Sequence, residues 1–343
     1  MDELVVGLDV GGTNTRVRIA AMSAGGPLLP VTADVTQCVA SAHELRSLVE
    51  RAAHDAGRFG RVTDAVVAVA GPVTGDTIRI TNWASDPIVS VADLEAAGLP
   101  HGRTRFVNDA VSGAWGALAR LEGTGTGPIR PLLAGRGAET APGAGNIVYV
   151  APGTGLGEAV VVRSGPEPIR ATVVAGEFQH TQMPRFADDS GLVADVIADA
   201  IGRSPDWEDL VSGRGLVHTY DALAAIATGA GLIVSDDDAM RAGMIAQAAR
   251  AGSDPLALEA SGIFYRNLAR FAQVLAVVFL PCGAVVFGGA TSEANLDVMR
   301  TSGMAEIFAE HHRFAKLLSA VPLYVVGGEV NLEGTVRLAA LSG

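Results

Sequence analysis

The first apolar run of the chain ends in a carboxylate and a glycine turn. The run LVVGLDV carries Asp9 near its end, and Gly11, Gly12, Thr13 and Asn14 follow. Glycines leave backbone amides that can approach phosphate oxygens, Thr13 adds a hydroxyl, and Asp9 can hold Mg²⁺ directly or through water. A tight hairpin with an incidental aspartate is the structural alternative. The segment is therefore a candidate site for phosphate and magnesium.

A second glycine turn repeats this arrangement later in the chain. The strand pattern NIVYVAP precedes Gly153, Thr154 and Gly155, and the strand pattern EAVVVRS follows them. Two copies of strand, glycine turn and strand indicate an internal duplication of an α/β lobe. The second turn is predicted to grip terminal phosphates from the opposite lobe, and a plain glycine hairpin is the alternative.

Asn108 and Asp109 lie where a short predicted strand meets a helix rich in small residues. A carboxylate here could accept the proton of a substrate hydroxyl whose oxygen attacks phosphorus, and such bases typically contribute about 10²- to 10⁴-fold in rate. Asparagine and aspartate are also preferred at helix N-caps. Spacing alone slightly favours the cap, so both interpretations stay open.

Glu177 and His180 form another candidate group, with Glu208 downstream. A glutamate and a histidine three residues apart can point at one ligand when the backbone turns, and sugar hydroxyls need such mixed donors and acceptors. A metal site is not indicated, because the sequence has no HExxH motif and no second histidine at ligand spacing. A surface loop with a chance histidine is the structural alternative.

The buried strand pattern AVVF runs into Gly288 and Gly289. A glycine pair at this point lets the backbone lie flat against a nucleobase or a ribose. A structural crossover turn is equally compatible with the pattern. The segment is therefore a candidate nucleotide-binding turn.

Alternating strand and helix patterns connect these segments and are typical of α/β lobes. Helices are predicted at about 41–56 and at 332–341. The segment 122–145, rich in Gly, Pro and Thr, is predicted to be a surface excursion near a lobe boundary. The expected lobes are residues 1–109 with 330–343, the smaller one, and residues 110–329, the larger one.

The bulk composition excludes several classes of protein. The chain has 343 residues, more than one hydrophobic core usually serves, so two lobes are expected. The formal net charge of −12 argues against binding to nucleic acid or to anionic membranes. Lys316 is the only lysine. A Walker-type phosphate loop, which needs a lysine beside its last glycine, is therefore not expected.

Cys38 and Cys282 are predicted to be small buried hydrophobes in a reducing cytoplasm, because neither belongs to a CxxC pair. No basic n-region or cleavage site opens the sequence, so we expect no signal peptide. Gln273 and Pro281 interrupt the apolar stretch 271–290. That stretch is predicted to be a buried helix followed by a buried parallel strand and not a membrane span.

Six segments resemble, in order and spacing, the bacterial glucokinase family of the hexokinase, actin and Hsp70 superfamily. The resemblance covers nearly the whole chain, and the segments are DVGGTNTR, GPVTGDTIRITN, FVNDAVSGAWG, APGTGLGEA, LVSGRGLVHTY and AVVFGGA. It implies an α/β fold of two ribonuclease H-like (actin-like ATPase) lobes with a cleft between them. It also implies an ATP-dependent hexokinase-type sugar kinase that converts ATP and D-glucose into ADP and D-glucose 6-phosphate.

The resemblance implies a role for each candidate residue. The implied sugar ligands are Asn108, Asp109, Glu177, His180 and Glu208. Among them, Asp109 would be the general base for the sugar 6-hydroxyl. Asp9 would serve Mg²⁺ through water. The implied ATP ligands are Asp9, Gly11, Gly12, Thr13, Asn14, Gly153, Thr154, Gly155, Gly288 and Gly289.

One departure from the family pattern is at Phe178 and Gln179, where the family usually has two glycines. Larger side chains resist backbone conformations that glycine adopts, so a kinase for a different or modified sugar or polyol is one alternative. A non-catalytic sensor that binds sugar or nucleotide is another, which the intact Asp9 and Asp109 disfavour. The zinc cysteines of the related ROK sugar kinases are absent. The first phosphate strand begins at Leu4, so no DNA-reading helix-turn-helix is expected.

The resemblance further implies a cytoplasmic homodimer that uses ATP and Mg²⁺. ADP or polyphosphate as the phosphoryl donor stays an open alternative. We expect a small-molecule sugar as the substrate, with neither a nucleic-acid nor a membrane partner.

Overall fold

The computed structural model describes residues 2–11, 14–22, 28–80, 83, 85–133, 145–164, 170–227, 231 and 233–341. The chain divides into two compact units, and each combines helices with a central sheet. Unit 1 comprises Met1–Pro128 and Glu329–Gly343, and unit 2 comprises Ile129–Gly328.

Within the described residues, the strands are β1 (Asp2–Val10), β2 (Thr15–Ala21), β3 (Leu29–Pro30), β4 (Val35–Gln37), β5 (Gly60–Val69), β6 (Thr77–Arg79), β7 (Ile88–Ser90), β8 (Thr104–Asn108), β9 (Ile129–Pro131), β10 (Asn146–Pro152), β11 (Leu156–Ser164), β12 (Arg170–Ala175), β13 (Cys282–Phe287) and β14 (Leu323–Val326). The helices of the same residues are α1 (Ala42–Ala56), α2 (Val91–Ala96), α3 (Asp109–Leu121), α4 (Asp189–Ile201), α5 (Gly213–Ile226), α6 (Asp238–Ala251), α7 (Pro255–Val278), α8 (Gly289–Ala294), α9 (Leu296–Thr301), α10 (Met304–Ala309), α11 (Ala315–Leu318) and α12 (Val330–Ala340). A 3₁₀ turn, Phe178–His180, follows β12.

Local sequence sets where several helices begin. The Ser41 hydroxyl accepts a hydrogen bond from the amide of Glu44, 3.2 Å away, at the start of α1. Ser90 and Asp93 form a reciprocal capping box at the start of α2. Asp254 caps α7, whose first residue is a proline. Such side chains satisfy backbone amides that have no partner inside the helix.

The sheet of unit 1 has the strand order β3-β2-β1-β5-β8, and β4 also pairs with β2. Strands β1 and β2 are antiparallel, whereas β1, β5 and β8 run parallel. The register places Val10 beside Val69 and Val69 beside Asn108. The carboxyl ends of the three parallel strands therefore meet at one edge.

The sheet of unit 2 has the order β12-β11-β10-β13-β14-β9. An antiparallel hairpin, β10 and β11, is again followed by parallel strands, β13 and β14. The order from β12 to β14 repeats that of unit 1 from β3 to β8. The predicted α/β class and the repeated lobe are confirmed.

Helix α12 packs closely against α3 at two glycine residues, which have no side chain. A Cβ atom at Gly116 would overlap the carbonyl of Val330, and one at Gly334 would overlap the carbonyl of Ser112. Backbones that approach this closely require glycine. Helices α3 and α12 consequently behave as one packed pair.

The predicted lobe boundary at 109/110 differs from the structure, in which unit 1 extends to Pro128. The reason is the α3–α12 pair, to which the buried Arg120 and Glu333 add hydrogen bonds of 2.9 and 3.0 Å. Helix α3 therefore belongs to unit 1. The second division falls at Glu329, one residue before the predicted position 330.

The apolar stretch 271–290 contains the end of α7, which stops at Val278, and then the parallel strand β13. This confirms the predicted buried helix and strand. Over the described part of the chain, no helix has both the length and the apolar composition needed to cross a bilayer.

Two smaller expectations need correction. The predicted surface excursion 122–145 contains β9, which extends the sheet of unit 2 by pairing with β14, and its residues 134–144 lie outside the described residues. The short apolar run there can add backbone hydrogen bonds to an open sheet edge. Cys38 is exposed just after the edge strand β4, so only Cys282 is partly buried as predicted.

Candidate active site

Unit 1 brings three predicted site residues to one edge of its sheet. Asp9 is next to last in β1, Asn108 is last in β8, and Asp109 opens α3. Strand β5 lies between β1 and β8, and its Val69 pairs with Val10 on one side and with Asn108 on the other. Two strand spacings, about 10 Å, separate β1 from β8. The two carboxylates therefore lie on the same edge, on strands separated only by β5.

Asp9 is a buried carboxylate with one cationic neighbour. Its side chain accepts a hydrogen bond from Arg16, with 3.3 Å between Oδ2 and Nη1. Burial raises the pKa of Asp9, while Arg16 and a hydrogen bond from Asn331 oppose the rise. Among the residues described, no group of three or more His, Cys, Asp or Glu side chains could hold a metal. A single carboxylate fits Mg²⁺, which commonly keeps several waters and takes phosphate oxygens as further ligands.

The first glycine turn is closed by its own backbone. The amide of Gly11 donates to the carbonyl of Asn14 at 3.0 Å, and Asn14 is exposed. The other two predicted ATP ligands of this turn, Gly12 and Thr13, lie outside the described residues.

The helix cap falls on Asn108. Its Oδ1 accepts hydrogen bonds from the amides of Ala110, at 2.8 Å, and Val111, at 3.3 Å. Its Nδ2 donates to the carbonyl of Gly71 at 3.0 Å. Asp109 is the first helical residue, is half-buried, and accepts the amide of Ala110 at 2.9 Å. The N-cap role raised by the sequence thus belongs to Asn108, with Asp109 beside it.

The second glycine turn joins β10 to β11 in unit 2. The amide of Gly153 donates to the carbonyl of Gly155 at 2.7 Å, and the amide of Gly213 donates to the carbonyl of Gly153 at 2.8 Å. Glu208 accepts the amide of Leu156 through Oε2 at 3.0 Å. Glu208, predicted as a sugar ligand, therefore also braces the second turn.

A cavity of about 570 Å³ lies beside this turn within unit 2. Its lining includes Gly153, Thr154, Arg214, Arg250, Thr291 and Asn295. Ligand pockets commonly have volumes of this order. The cavity is large enough for a nucleoside and carries two guanidinium groups.

Gly288 and Gly289 lead from β13 into one wall of the cavity. The amide of Gly288 donates to the carbonyl of Val150 at 2.8 Å, and a Cβ atom at Gly288 would overlap the ring of Tyr149. Gly289 has a φ of 89°, a left-handed conformation that favours glycine. The next residue, Ala290, lines the cavity. The glycine pair is thus needed to bring the chain to this wall.

Glu177 and His180 approach each other in the 3₁₀ turn after β12. Oε2 of Glu177 lies 3.6 Å from Nε2 of His180, and both side chains are exposed. The amide of Glu208 donates to the carbonyl of Gln179 at 3.3 Å. The three predicted sugar ligands of unit 2 therefore belong to one local cluster.

Phe178 and Gln179 anchor this turn. The ring of Phe178 packs against Phe271, with 5.9 Å between the ring centroids. Gln179 is buried, and its Nε2 donates to Oε2 of Glu177 at 2.6 Å. The two side chains that replace the family's glycines consequently point at the protein interior and at Glu177.

Sequence reasoning missed two acidic residues in this cluster. Oδ2 of Asp206 lies 3.7 Å from Nδ1 of His180. Oε1 of Glu158 accepts the amide of Phe178 at 2.8 Å. Burial raises the pKa of Glu158 to about 7, the Phe178 amide opposes the rise, and the charge of Glu177 adds to it. A charged residue next to the apolar run AVVV was the one sequence feature that could have indicated Glu158.

The sequence matches a known family over nearly its whole length. Residues 6–341 match the family model described as Glucokinase. The chain is 32% identical to a glucokinase of Cupriavidus metallidurans, over 97% of this chain and 92% of the relative. It is 29% identical to a glucokinase of Pectobacterium atrosepticum, over 96% of this chain and 94% of the relative.

Solved structures share the fold. A glucokinase from Balamuthia mandrillaris in complex with glucose has a TM-score of 0.75 at 22% identity, covering 98% of this chain and 94% of that one. A ROK family glucokinase from Streptomyces griseus in complex with glucose and AMPPNP has a TM-score of 0.60 at 24% identity, covering 99% and 100%. These likenesses confirm the predicted actin-like ATPase fold class. The family model and the relative at 32% identity show that the chain belongs to the glucokinase family, as its six sequence segments predicted.

Proposed function

We propose that the protein transfers the terminal phosphoryl group of ATP to the 6-hydroxyl of D-glucose, giving ADP and D-glucose 6-phosphate. Membership of the glucokinase family supports this reaction. The observation that carries the assignment of residues is the sheet edge of unit 1. There Asp9 lies near the end of β1 and Asp109 directly follows β8, and these two strands flank β5.

Asp109 is the proposed general base. Its carboxylate takes the proton of the 6-hydroxyl while that oxygen bonds to phosphorus, and the bond from phosphorus to the departing ADP oxygen breaks. Asn108 supplies the cap hydrogen bonds of α3, so the helix start does not depend on Asp109 for its cap. A positioned base of this kind contributes about 10²- to 10⁴-fold in rate.

The cavity of unit 2 is the proposed site for the adenosine, and the two glycine turns are proposed to bind the phosphates. Arg214 and Arg250 line the cavity together with one carboxylate, Asp238, so the lining has a net positive charge that suits a nucleotide. Asp9 would hold Mg²⁺ through water, and the metal would neutralise charge on the phosphates when bound. Phosphoryl transfer needs mainly such positioning and charge stabilisation.

Glu177, His180 and Glu208 are proposed to bind hydroxyls of the sugar ring. The ring of Phe178 packs against Phe271, so the bulk that replaces glycine lies against the core of unit 2. This placement favours glucose over a different or modified sugar. The intact carboxylates and the cavity favour a catalyst over a sensor.

The proposed setting is the cytoplasm, where the enzyme would supply phosphorylated glucose to glycolysis as a homodimer. The acidic net charge of −12 is compatible with a protein that binds neither nucleic acid nor anionic membranes. Light scattering that gives the mass of a single chain, 35.0 kDa, would exclude the dimer.

The substitution Asp109→Asn tests the catalytic assignment. We expect kcat with glucose and ATP to fall by about 10² or more, because the amide cannot accept the proton. Glucose affinity, measured by isothermal titration calorimetry, should stay within about threefold, because the amide keeps hydrogen-bonding groups of similar size. ADP release in a coupled assay measures the rate.

Asp189→Asn is the matched control, because Asp189 is an exposed aspartate at the first position of α4, as Asp109 is of α3. Its turnover should equal that of the wild type. An Asp109→Asn variant with wild-type kcat would refute the base assignment. A wild-type chain that binds glucose but never releases ADP would favour the sensor.

A further inference from the structure

Two buried side chains hold the turn that carries Glu177 and His180, here named the 176–180 turn. Glu158, in β11, is 4% exposed and accepts the amide of Phe178 at 2.8 Å. Gln179 is 6% exposed and donates to Glu177 at 2.6 Å. Each also has a buried oxygen without a hydrogen-bond partner, Oε2 of Glu158 and Oε1 of Gln179. Burying polar atoms without hydrogen bonds costs free energy of folding, and a surface loop with only a structural role would not need them.

We infer that Glu158 and Gln179 are positioning residues for sugar binding, and that the protonation of Glu158 controls how firmly the 176–180 turn is held. The inference rests on the proposed role of Glu177 and His180 as sugar ligands. Neither Glu158 nor Gln179 is proposed to touch the reacting atoms.

Gln179 fixes the orientation of Glu177. Its amide donor binds Oε2 of Glu177, the same oxygen that lies 3.6 Å from Nε2 of His180. A hydrogen bond to an ionised acceptor is stronger than a neutral one. The Phe178 ring fixes the other side of the turn by packing against Phe271. Side-chain anchoring thus holds a glutamate that would otherwise rotate in solvent.

Glu158 fixes the backbone of the same turn. The segment passes close to its carboxyl, since a Cβ atom at Gly176 would lie 3.1 Å from Oε1. The charged groups that face Glu158 are Glu177, which disfavours its ionisation, and His180, which favours it. His180 also lies near Asp206, so the cluster is predominantly acidic.

The protonated form of Glu158 suits this environment better than the ionised form. Burial raises the pKa of Glu158 to about 7, so the group changes charge near neutral pH. Ionisation strengthens the hydrogen bond from the Phe178 amide, but the cost of burying the charge is larger. An ionised carboxylate with a buried, unpartnered oxygen is costly, and the cost is relieved when the turn moves and water enters. We therefore expect the turn to loosen, and sugar binding to weaken, as pH rises through neutrality.

The test compares the wild type with Glu158→Gln and Gln179→Ala from about pH 6 to about pH 8.5, a window that spans the titration of Glu158. The KM for glucose of the wild type should rise by about fivefold or more across this range, whereas that of Glu158→Gln should change by less than about twofold. Gln179→Ala should raise the KM for glucose by about tenfold at each pH. The KM for ATP should be the same in all three proteins.

Gln273→Ala is the matched control for Gln179→Ala. Gln273 is a partly buried glutamine of unit 2 whose amide donates to the carbonyls of Ile307, Phe308 and Glu310. Its loss should lower stability and leave the KM for glucose unchanged. A glucose KM that follows the wild-type pH profile in Glu158→Gln, or that stays at the wild-type value in Gln179→Ala, would overturn the inference.

A second readout separates this inference from the proposed function. Hydrogen exchange of the Phe178 amide, corrected for intrinsic chemical exchange, reports on the turn without any substrate. Its protection should fall as pH rises through about 7 in the wild type and stay constant in Glu158→Gln. If glucose is not phosphorylated but this pattern appears, the proposed function is wrong, whereas the control of the 176–180 turn by the protonation of Glu158 is supported. If protection of the Phe178 amide in the wild type does not change with pH, control of the turn by Glu158 is refuted, even if glucose is phosphorylated.

Discussion

The two units position their parts of the proposed active site by different means. In unit 1, Asp109 begins a helix that is packed against α12 through close backbone contacts and through the buried pair of Arg120 and Glu333. In unit 2, carboxylates accept backbone amides of the turns: Glu208 does so at the second glycine turn, and Glu158 does so at the 176–180 turn. Unit 1 relies on close backbone packing and a buried ion pair, and unit 2 relies on carboxylates that accept the amides of its turns.

This difference indicates which part of the enzyme should respond to changes in the protonation of its carboxylates. Packed backbones do not titrate, so the geometry around Asp109 should be lost only when unit 1 itself is destabilised. Hydrogen bonds from amides to carboxylates depend on protonation and on the surrounding charges. Changes to these carboxylates should therefore appear first in substrate affinities and in pH dependence.

Breaking the packed helix pair should have the largest effect. Glu333→Ala leaves Arg120 buried without its carboxylate partner, and such losses cost about 3 to 5 kcal/mol in the free energy of unfolding. Glu333 also accepts the hydroxyl of Thr126 and the amide of Gly127. Urea denaturation measures the loss.

The control for this variant is Glu122→Ala. It removes the carboxylate of a more exposed ion pair, between Glu122 at the C-terminal end of α3 and Arg337 of α12. Exposed pairs contribute less than about 1 kcal/mol. Equal losses in the two variants would contradict the view that the buried pair locks α3 to α12.

The next effect concerns the pH dependence of stability. Burial places the pKa of Glu158 at about 7 in the folded protein, above its ordinary value of 4.5. Glu158 then binds its proton more tightly in the folded protein than in the unfolded chain. The stabilisation that Glu158 contributes is therefore fully present below pH 4.5 and is lost as pH rises to about 7. Glu158→Gln, which cannot ionise, should gain about 1 to 3 kcal/mol over the wild type across this window. Thermal unfolding at several pH values measures the gain, and a constant difference would count against it.

The smallest effect, on affinity, should distinguish the two roles of Glu208. Glu208→Ala removes the acceptor for the Leu156 amide as well as a proposed sugar ligand, so the KM values for ATP and glucose should each rise about tenfold. Glu208→Gln keeps an oxygen for that amide. It should leave the KM for ATP within about threefold of the wild type and raise only the KM for glucose. Oε1 of Glu208 also lies 3.6 Å from Nη2 of Arg214, which lines the cavity. A rise in both constants for Glu208→Gln would therefore show that ATP binding needs the charge of Glu208 and not only its hydrogen bond to the turn.

Much of the fold could be predicted because its features are local in the sequence. The two strand–turn–strand patterns, the helix after Ser41 and the end of α7 before Pro281 each lie within a short window. The lobe boundary could not be predicted in this way. It depends on the contact between Arg120 and Glu333, which are 213 positions apart.

The same distinction, between features that are local in the sequence and contacts between distant residues, applies to the candidate site. The strand ends that carry Asp9 and Asp109 could be predicted from the sequence, and the resemblance to the family indicated Glu177 and His180. The bracing of the turns could not, because it depends on the path of the chain. Glu158 lies 20 positions before Phe178, and neither residue type alone indicates that one supports the other.

Unit 1 is discontinuous in the sequence, and this has a consequence for how the protein is made. Helix α12 follows the whole of unit 2 along the chain. The ribosome therefore synthesises the strands of both central sheets before it releases α12, the helix that packs against α3. Until then the nascent α3 exposes Gly116 and lacks the contact between Arg120 and Glu333. The continuous unit 2 is therefore the first that can complete its fold.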